Sequence, residues 1–322
     1  MSIPSFSSAT TAEEVANAFS AEIKGKNVLV TGTSVGGIGF ETALAIAKYA
    51  NLLIITGYNQ ERLKLSEEAI KEEHPHANVY CLVLNLSFLA SVRKAAAEIN
   101  ALPEPLHVLI NNAASSWGDF KLTEDGLERQ YATNHVGPFL FTKLLIPKIL
   151  AAASPEYTPR VVFVSSVGHT HGSGVDFDAL TAPNAAKFAI REAYRGTKSA
   201  NILTAIELYK RSKGKINAYS LNPGLVYTNA FNNETATAIF TGAGFLDQDG
   251  RPNAAYAWKT IPQGASTTVT AAFDPRLNDK PGAYLDDCIV ANEKIAPHSS
   301  DPANAEKLWD LTEKIIGEKF TF

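Results

Sequence analysis

Six short runs of the chain are apolar nearly throughout instead of alternating: Asn27–Thr31, Leu52–Thr56, Val79–Leu84, Val108–Asn111, Val161–Ser165 and Ile216–Leu221. Such runs are the pattern of strands buried on both faces. A further strand is expected near Gly282–Leu285. Between them, Glu41–Ala50, Gln60–Glu73 and Ser87–Asn100 space their apolar residues as helices and have the length of crossover connections. Alternation of this kind predicts an α/β protein, a Rossmann-type doubly wound parallel sheet in a single domain. A polar helix over Thr11–Ile23 is expected in an N-terminal extension, residues 1–24, and another over Asp301–Lys319 closes the chain. The stretch Asn229–Leu246 breaks the rhythm, with Glu234 its only charge. It belongs to an excursion over residues 229–262. Ligands of open α/β sheets sit beyond the carboxyl ends of the strands, where an insertion shapes a pocket; the plainer reading is a surface loop.

Composition narrows the classes of function. The 322 residues carry a net charge of −4, with 45% hydrophobic and 19% charged positions, an ordinary globular balance. Without a block of Lys and Arg there is no electrostatic footprint for nucleic acid or an anionic membrane surface. No run approaches the ~18 apolar residues of a membrane span and no signal peptide heads the chain, so a cytoplasmic protein is expected; a homo-oligomer is left open. The sequons at Asn85 and Asn233 are then chance matches. Cys81 and Cys288, the only cysteines, lack the spacing of a zinc ribbon or a disulfide framework and read as buried fillers. His74/His76 and His169/His171 have no third ligand nearby and read as solvated, with no metal; the second pair is also a candidate for the substrate entrance.

Two segments carry candidate chemistry. After the first strand comes Gly32-Thr33-Ser34-Val35-Gly36-Gly37-Ile38-Gly39, followed at once by a helix. Glycines let a backbone turn tightly against a pyrophosphate, whose charge the helix N-terminus stabilises. The same residues contain a literal G-x-S-x-G, the nucleophile elbow of α/β hydrolases, but an elbow follows several strands and only about 30 residues precede Ser34. Farther on, Tyr194-Arg195-Gly196-Thr197-Lys198 stacks a phenol and an ammonium one helical turn apart. Tyr209 and Lys213 repeat the spacing on the same predicted helix. Fifteen residues at ~1.5 Å each carry Tyr209 about 22 Å from the sheet's carboxyl edge, so the first pair is the candidate.

With Asn111-Asn112-Ala113-Ala114 ending one strand, Asn134-His135 in the next helix, Ser165-Ser166 ending another strand and Asn222-Pro223-Gly224 ending the sixth, the chain resembles the short-chain dehydrogenase/reductase family over nearly its whole length. The interval between Ser166 and Tyr194 and the ending Gly282–Cys288 with Leu308-Trp309 look most like the retinol-dehydrogenase and WW-domain-oxidoreductase branch, in a fungal-type member. The resemblance implies a catalytic tetrad of Asn134, Ser166, Tyr194 and Lys198. In it Ser166 binds the substrate oxygen, Tyr194 exchanges the proton, Lys198 also holds the nicotinamide ribose, and Asn134 positions a water in a relay. For the cofactor it implies Gly32, Gly37, Ile38 and Gly39 at the phosphates, Asn85 and Leu86 at adenine, Asn112 and Ala113 beside the adenosine ribose, and Pro223, Gly224, Val226 and Thr228 on the nicotinamide side. The loop is one residue longer than the family's usual gap, which leaves Gly36 and Gly37 to share a role. A non-catalytic dinucleotide-binding regulatory protein of the same fold is the alternative, against which the complete tetrad argues.

The chemistry is sensible on its own terms. A free phenol titrates near ~10, so a Tyr that exchanges a proton near neutrality needs its pKa pulled down by about 2–3. A Lys ammonium ~4–5 Å away supplies roughly the 3–4 kcal/mol this takes. The second strand ends in Gly57-Tyr58-Asn59 with no acid to hold a ribose 2′-hydroxyl, which predicts NADP(H), with NAD(H) left open. Thr33, Ser34, Asn59 and Arg62 are the candidates for its 2′-phosphate. Trp117 beyond the Asn-Asn-Ala-Ala strand, and Phe231, Phe240 and Phe245 in the excursion, suit an apolar carbonyl or alcohol as substrate; the plainer reading is that these aromatics simply cover the sheet.

Overall fold

A computed structural model of the chain describes residues 4–231 and 233–322. Its eight strands are β1 (Asn27–Val30), β2 (Leu52–Gly57), β3 (Val79–Val83), β4 (Val108–Asn111), β5 (Arg160–Val164), β6 (Asn217–Asn222), β7 (Tyr284–Asp286) and β8 (Ile289–Val290). They form one sheet in the order β3-β2-β1-β4-β5-β6-β7-β8, parallel from β3 to β7. The apolar runs do what continuous hydrophobicity requires: Leu29 packs into one core, whereas Val28 and Val30 pack into the other. Helices 89–101, 137–150, 190–212 and 302–316 cover the first face; helices 38–47 and 261–273 and the N-terminal helices cover the second.

The differences from the expected elements have local causes. β3 lies at the sheet edge and is only partly buried, so its apolar run did not signify two covered faces. Cys81, on that strand, is half-buried with its thiol donating to Glu67, while Cys288 is buried as expected. The leading helix is two pieces, Ala12–Ala18 and Ser20–Ile23, broken at Phe19, whose backbone leaves the helical region. β8 was not foreseen. It is two residues long and antiparallel to β7, and the Asp287-Cys288 turn between them puts two non-glycine residues at positive φ, 50° and 64°, a hairpin geometry that ordinarily calls for Asn-Gly. In the excursion a helix spans Glu234–Gly242.

Among the described residues no helix is long and apolar enough to cross a membrane. The strand order turns back at β1, flanked by β2 and β4. That switch point is where open α/β sheets leave a crevice for a ligand.

Candidate active site

The glycine segment lies over that crevice. Gly32 has φ +73°, and a Cβ there would fall 2.7 Å from Ala113 Cα; a Cβ on Gly39 would strike the Asn112 amide and the Gly32 carbonyl. Gly36 and Gly37 divide their work: Gly36 makes the turn at φ +78°, and Gly37 is the extended cap from which helix Ile38–Ala47 starts. Asn112 bolts the loop down, its Nδ2 donating to the carbonyls of Thr31 (2.9 Å) and Gly32 (3.1 Å). Gly39→Ala is therefore expected to destabilise the protein by about 1–3 kcal/mol through overpacking, read as a lower urea midpoint, whereas Gly36→Ala, whose Cβ would touch only the Asn229 side chain at an ordinary 3.9 Å, meets only the backbone cost of positive φ.

Beneath the loop is a cleft of about 900 Å³, within the range of small-molecule sites. Gly32, Ser34, Gly37, Ile38, Gly39, Arg62, Asn85, Leu86, Asn112, Ala113 and Thr228 line it. So do Val35, Tyr58 and Leu65, apolar side chains left 47%, 68% and 58% exposed, the kind of surface a bound ring would cover. Among the described residues the charged ones that line it are Arg62 and Arg129, with no carboxylate. Two of the 2′-phosphate candidates sit elsewhere. Thr33 is fully buried and donates its hydroxyl to the Thr56 carbonyl at 3.2 Å; Asn59 caps the next helix, its side-chain oxygen accepting from Arg62 N at 2.9 Å. Pro223, Gly224 and Val226 also lie outside the cleft lining. Gly224, at φ +92°, is packed by the stem of Lys259, and Val226 bridges that residue's backbone. Val35, Leu65, Arg129 and Asn229 were not singled out from sequence as cleft residues, because nothing in a lone side chain's identity signals which way it will face.

The tetrad residues converge at the carboxyl ends of β4 and β5. Ser166 follows β5, and its Oγ accepts from Gly168 N at 3.0 Å, leaving its proton to be donated elsewhere. Ser166 Oγ and Tyr194 Cε1 lie 3.4 and 3.5 Å from the point where a Gly168 side chain would begin, so glycine there keeps the hydroxyl and the phenol side by side. Lys198 is 3% exposed; its Nζ donates to the Val164 carbonyl at 3.0 Å and lies 5.5 Å from the Tyr194 ring centre. Asn134 sits in a π-helical turn, Ala132–Val136, a geometry often found at functional sites. Both its amide hydrogens are taken, by Ser115 O and Thr197 Oγ1, and its oxygen accepts from Ser115 N. Its side chain thus ties the segment after β4 to the Tyr194 helix and has no donor left for a water. Tyr209 packs beside Gly282, whose amide bonds Ala218 near the start of β6, at the opposite end of the sheet.

Electrostatics corrects one expectation. Burial pushes the Tyr194 phenol up, only partly offset by the Ser166 hydroxyl, where a neighbouring ammonium was expected to pull it down. Burial also pushes Lys198 down, from 10.5 to about 8. Desolvation acts on both groups at once, disfavouring the phenolate and the ammonium alike. A second correction concerns His169: it is not solvated but fully buried, its Nδ1 2.6 Å from the Ser166 carbonyl, whereas His171 is exposed.

The aromatic expectation meets a continuous cluster. Trp117 lies 5.2 Å from the Tyr194 ring and 4.9 Å from Phe240, which in turn meets Phe231 at 4.7 Å and Phe245 at 5.9 Å. An apolar wall therefore runs from the phenol into the excursion.

A doubly wound sheet with a glycine cradle over its switch point and a Tyr–Lys helix at its carboxyl edge defines a dinucleotide-binding oxidoreductase fold. Residues 26–238 match the short chain dehydrogenase family, and the chain belongs to it. It is similar to short-chain dehydrogenase TIC 32 A, chloroplastic, of Brassica napus (35% identical over 97% of this chain and 94% of that one). It is also similar to short-chain dehydrogenase/reductase prx1 of Penicillium rubens (35%; 91% and 86%) and to the WW domain-containing oxidoreductase of Danio rerio (34%; 93% and 70%). Among solved structures it resembles an uncharacterized protein of Mycobacterium paratuberculosis, with a TM-score of 0.68 at 25% identity over 94% of this chain and 98% of that one. An L-sorbose reductase of Gluconobacter frateurii, complexed with NADPH and L-sorbose, shares the fold with a TM-score of 0.60 at 17% identity (82% and 95%).

Proposed function

We propose that the protein is an NADP(H)-preferring oxidoreductase that interconverts an alcohol and a carbonyl on an apolar small molecule, with Tyr194 as proton donor and acceptor. The observation that carries this reading is the placement of the Ser166 hydroxyl and Tyr194 phenol side by side around Gly168, with the Lys198 ammonium below and the Trp117 ring against the phenol. A nicotinamide dinucleotide, held by the glycine cradle, Arg62 and Asn85, supplies the hydride chemistry that these side chains lack. Ser166 donates to the substrate oxygen, since its own acceptor side is engaged by Gly168 N. Tyr194, kept protonated by burial, gives its proton to the same oxygen in reduction and takes it back in oxidation. Lys198, fixed by the Val164 carbonyl, stabilises the phenolate once the proton has left. The Trp117–Phe240 wall excludes water and favours hydrophobic substituents.

A panel of aldehydes and ketones of rising hydrophobic area, followed by cofactor absorbance, tests the proposal. Turnover that rises with apolar area is expected; binding of the cofactor without consumption of it on any carbonyl would point to a sensor instead.

The cofactor preference rests on the absence, among the described residues, of any acid lining the cleft beside β2 and on Ser34 and Arg62, which do line it; the L-sorbose reductase of the same fold holds NADPH. The expected result is a kcat/KM at least tenfold higher for NADPH than for NADH, and Arg62→Met is expected to erase most of that margin, because a charge-assisted phosphate contact contributes about 1.5–3 kcal/mol. Equal kcat/KM for the two cofactors in the unaltered protein would overturn the assignment.

A further inference from the structure

Arg129 begins the short helix Arg129–Tyr131 that runs into the π-turn, four residues before Thr133, and both side chains line the cleft. Among the described residues the ion-paired arginines are Arg93, Arg195, Arg211, Arg251 and Arg276, so Arg129 has no carboxylate partner. Its Nε is buried without a hydrogen-bond partner. The adjacent acid, Glu128, spends its carboxylate on the Gln130 and Tyr131 amides at 2.9 and 3.0 Å. The loop carrying Trp117 passes so close that a side chain on Gly118, at φ +153°, would collide with the Arg129 Nη2.

A half-buried guanidinium whose Nε is enclosed without a hydrogen bond is better satisfied when an anion completes it. Its planar fork suits the paired oxygens of a phosphate. The anion-attracting end of helix Ile38–Ala47, capped by Gly37, opens into the same cleft. It follows β1, whereas Arg129 belongs to the segment after β4, so the two meet across the switch point.

We propose that Arg129 is a binding residue for the pyrophosphate of the dinucleotide, closing on it from the β4 side while the glycine cradle holds it from the β1 side. Its task differs from that of Arg62, which lies on the β2 side and reads the 2′-phosphate. This inference rests on the dinucleotide reading above.

Titration of the full chain with NADPH, NADH, ADP-ribose and adenosine 2′-monophosphate, followed by calorimetry, tests both and separates them. Arg129→Gln is expected to weaken NADPH, NADH and ADP-ribose by a common factor of about 10–100 and to leave adenosine 2′-monophosphate unchanged. Arg62→Gln is expected to weaken NADPH and adenosine 2′-monophosphate and to spare NADH and ADP-ribose. Wild-type affinity of Arg129→Gln for ADP-ribose would overturn the proposal, as would an effect confined to the KM of an acidic carbonyl substrate, which would assign the guanidinium to substrate. A wild-type protein that binds none of the four would instead overturn the dinucleotide reading itself. Should Arg129→Gln fail to fold, Arg129→Lys keeps the charge and removes the fork, and it is expected to weaken ADP-ribose while NADPH and NADH fall in step; unchanged ADP-ribose affinity in that variant would also overturn the proposal.

Discussion

Tyr194→Phe is expected to lower kcat by ~10²-fold or more, the scale of a lost general acid, while melting temperature and cofactor affinity stay near those of the unaltered protein. The phenol is half-buried and its ring carries the contacts to Trp117 and to the Lys198 ammonium. All of these survive the loss of one oxygen; only the exchangeable proton goes. Tyr209→Phe and Lys213→Ala provide the contrast. The second pair satisfies the same sequence spacing, yet Tyr209 packs at the far end of the sheet and Lys213 ends the helix in a left-handed conformation, so neither change should alter kcat. Steady-state kinetics on the variants, with thermal melts and cofactor titration alongside, decide the matter. A Tyr194→Phe enzyme with undiminished turnover would mean that the proton comes from elsewhere.

Lys198→Met should abolish most turnover and at the same time stabilise the cofactor-free protein. The ammonium is buried, without a carboxylate partner among the described residues, and burial lowers its pKa from 10.5 to about 8. Because the folded state resists the charged form, the cost is fully present below pH ~8, diminishes as the pH climbs, and vanishes above the unfolded value of ~10.5. The displacement corresponds to about 3 kcal/mol at neutral pH. Methionine fills a similar volume, and the Val164 carbonyl keeps a second donor, Asn201 Nδ2 at 3.1 Å, so no buried acceptor is orphaned. Thermal denaturation at pH 7 should show a melting temperature several degrees higher than that of the parent, with the gain shrinking as the pH is raised toward 10. A lower melting temperature, or a gain that ignores pH, would contradict the account. Stability traded for a reactive group is a common feature of catalytic sites.

What could be read from the sequence follows from its local character. Strands buried on both faces must be apolar at successive positions, which is why Leu52, Leu53, Ile54 and Ile55 announced β2 and why the Gln60–Glu73 helix was placed to the residue. The glycine loop was legible because only glycine tolerates φ +73° against Ala113, and the Tyr194/Lys198 pair because one helical turn fixes its geometry. Choosing that pair over Tyr209/Lys213 needed only the rise of a helix and the direction of a parallel sheet.

Tertiary structure decided what depends on the direction a side chain faces and on what surrounds it. Nothing in the residue types distinguishes Ser34, which lines the cleft, from Thr33, which is fully buried and bonded to Thr56. Nor could the sequence show that His169 is enclosed while His171 is exposed, or that the amide hydrogens of Asn134 are consumed by Ser115 and Thr197. The strongest case is electrostatic. Spacing alone put an ammonium near a phenol and suggested mutual stabilisation, but burial raises one pKa and lowers the other, and desolvation is set by every atom packed around the pair. In the same way Arg129 is an ordinary surface-type residue in the sequence, and only the fold, by placing it in the cleft with its Nε enclosed and unpaired among the described residues, makes it a candidate for an anion.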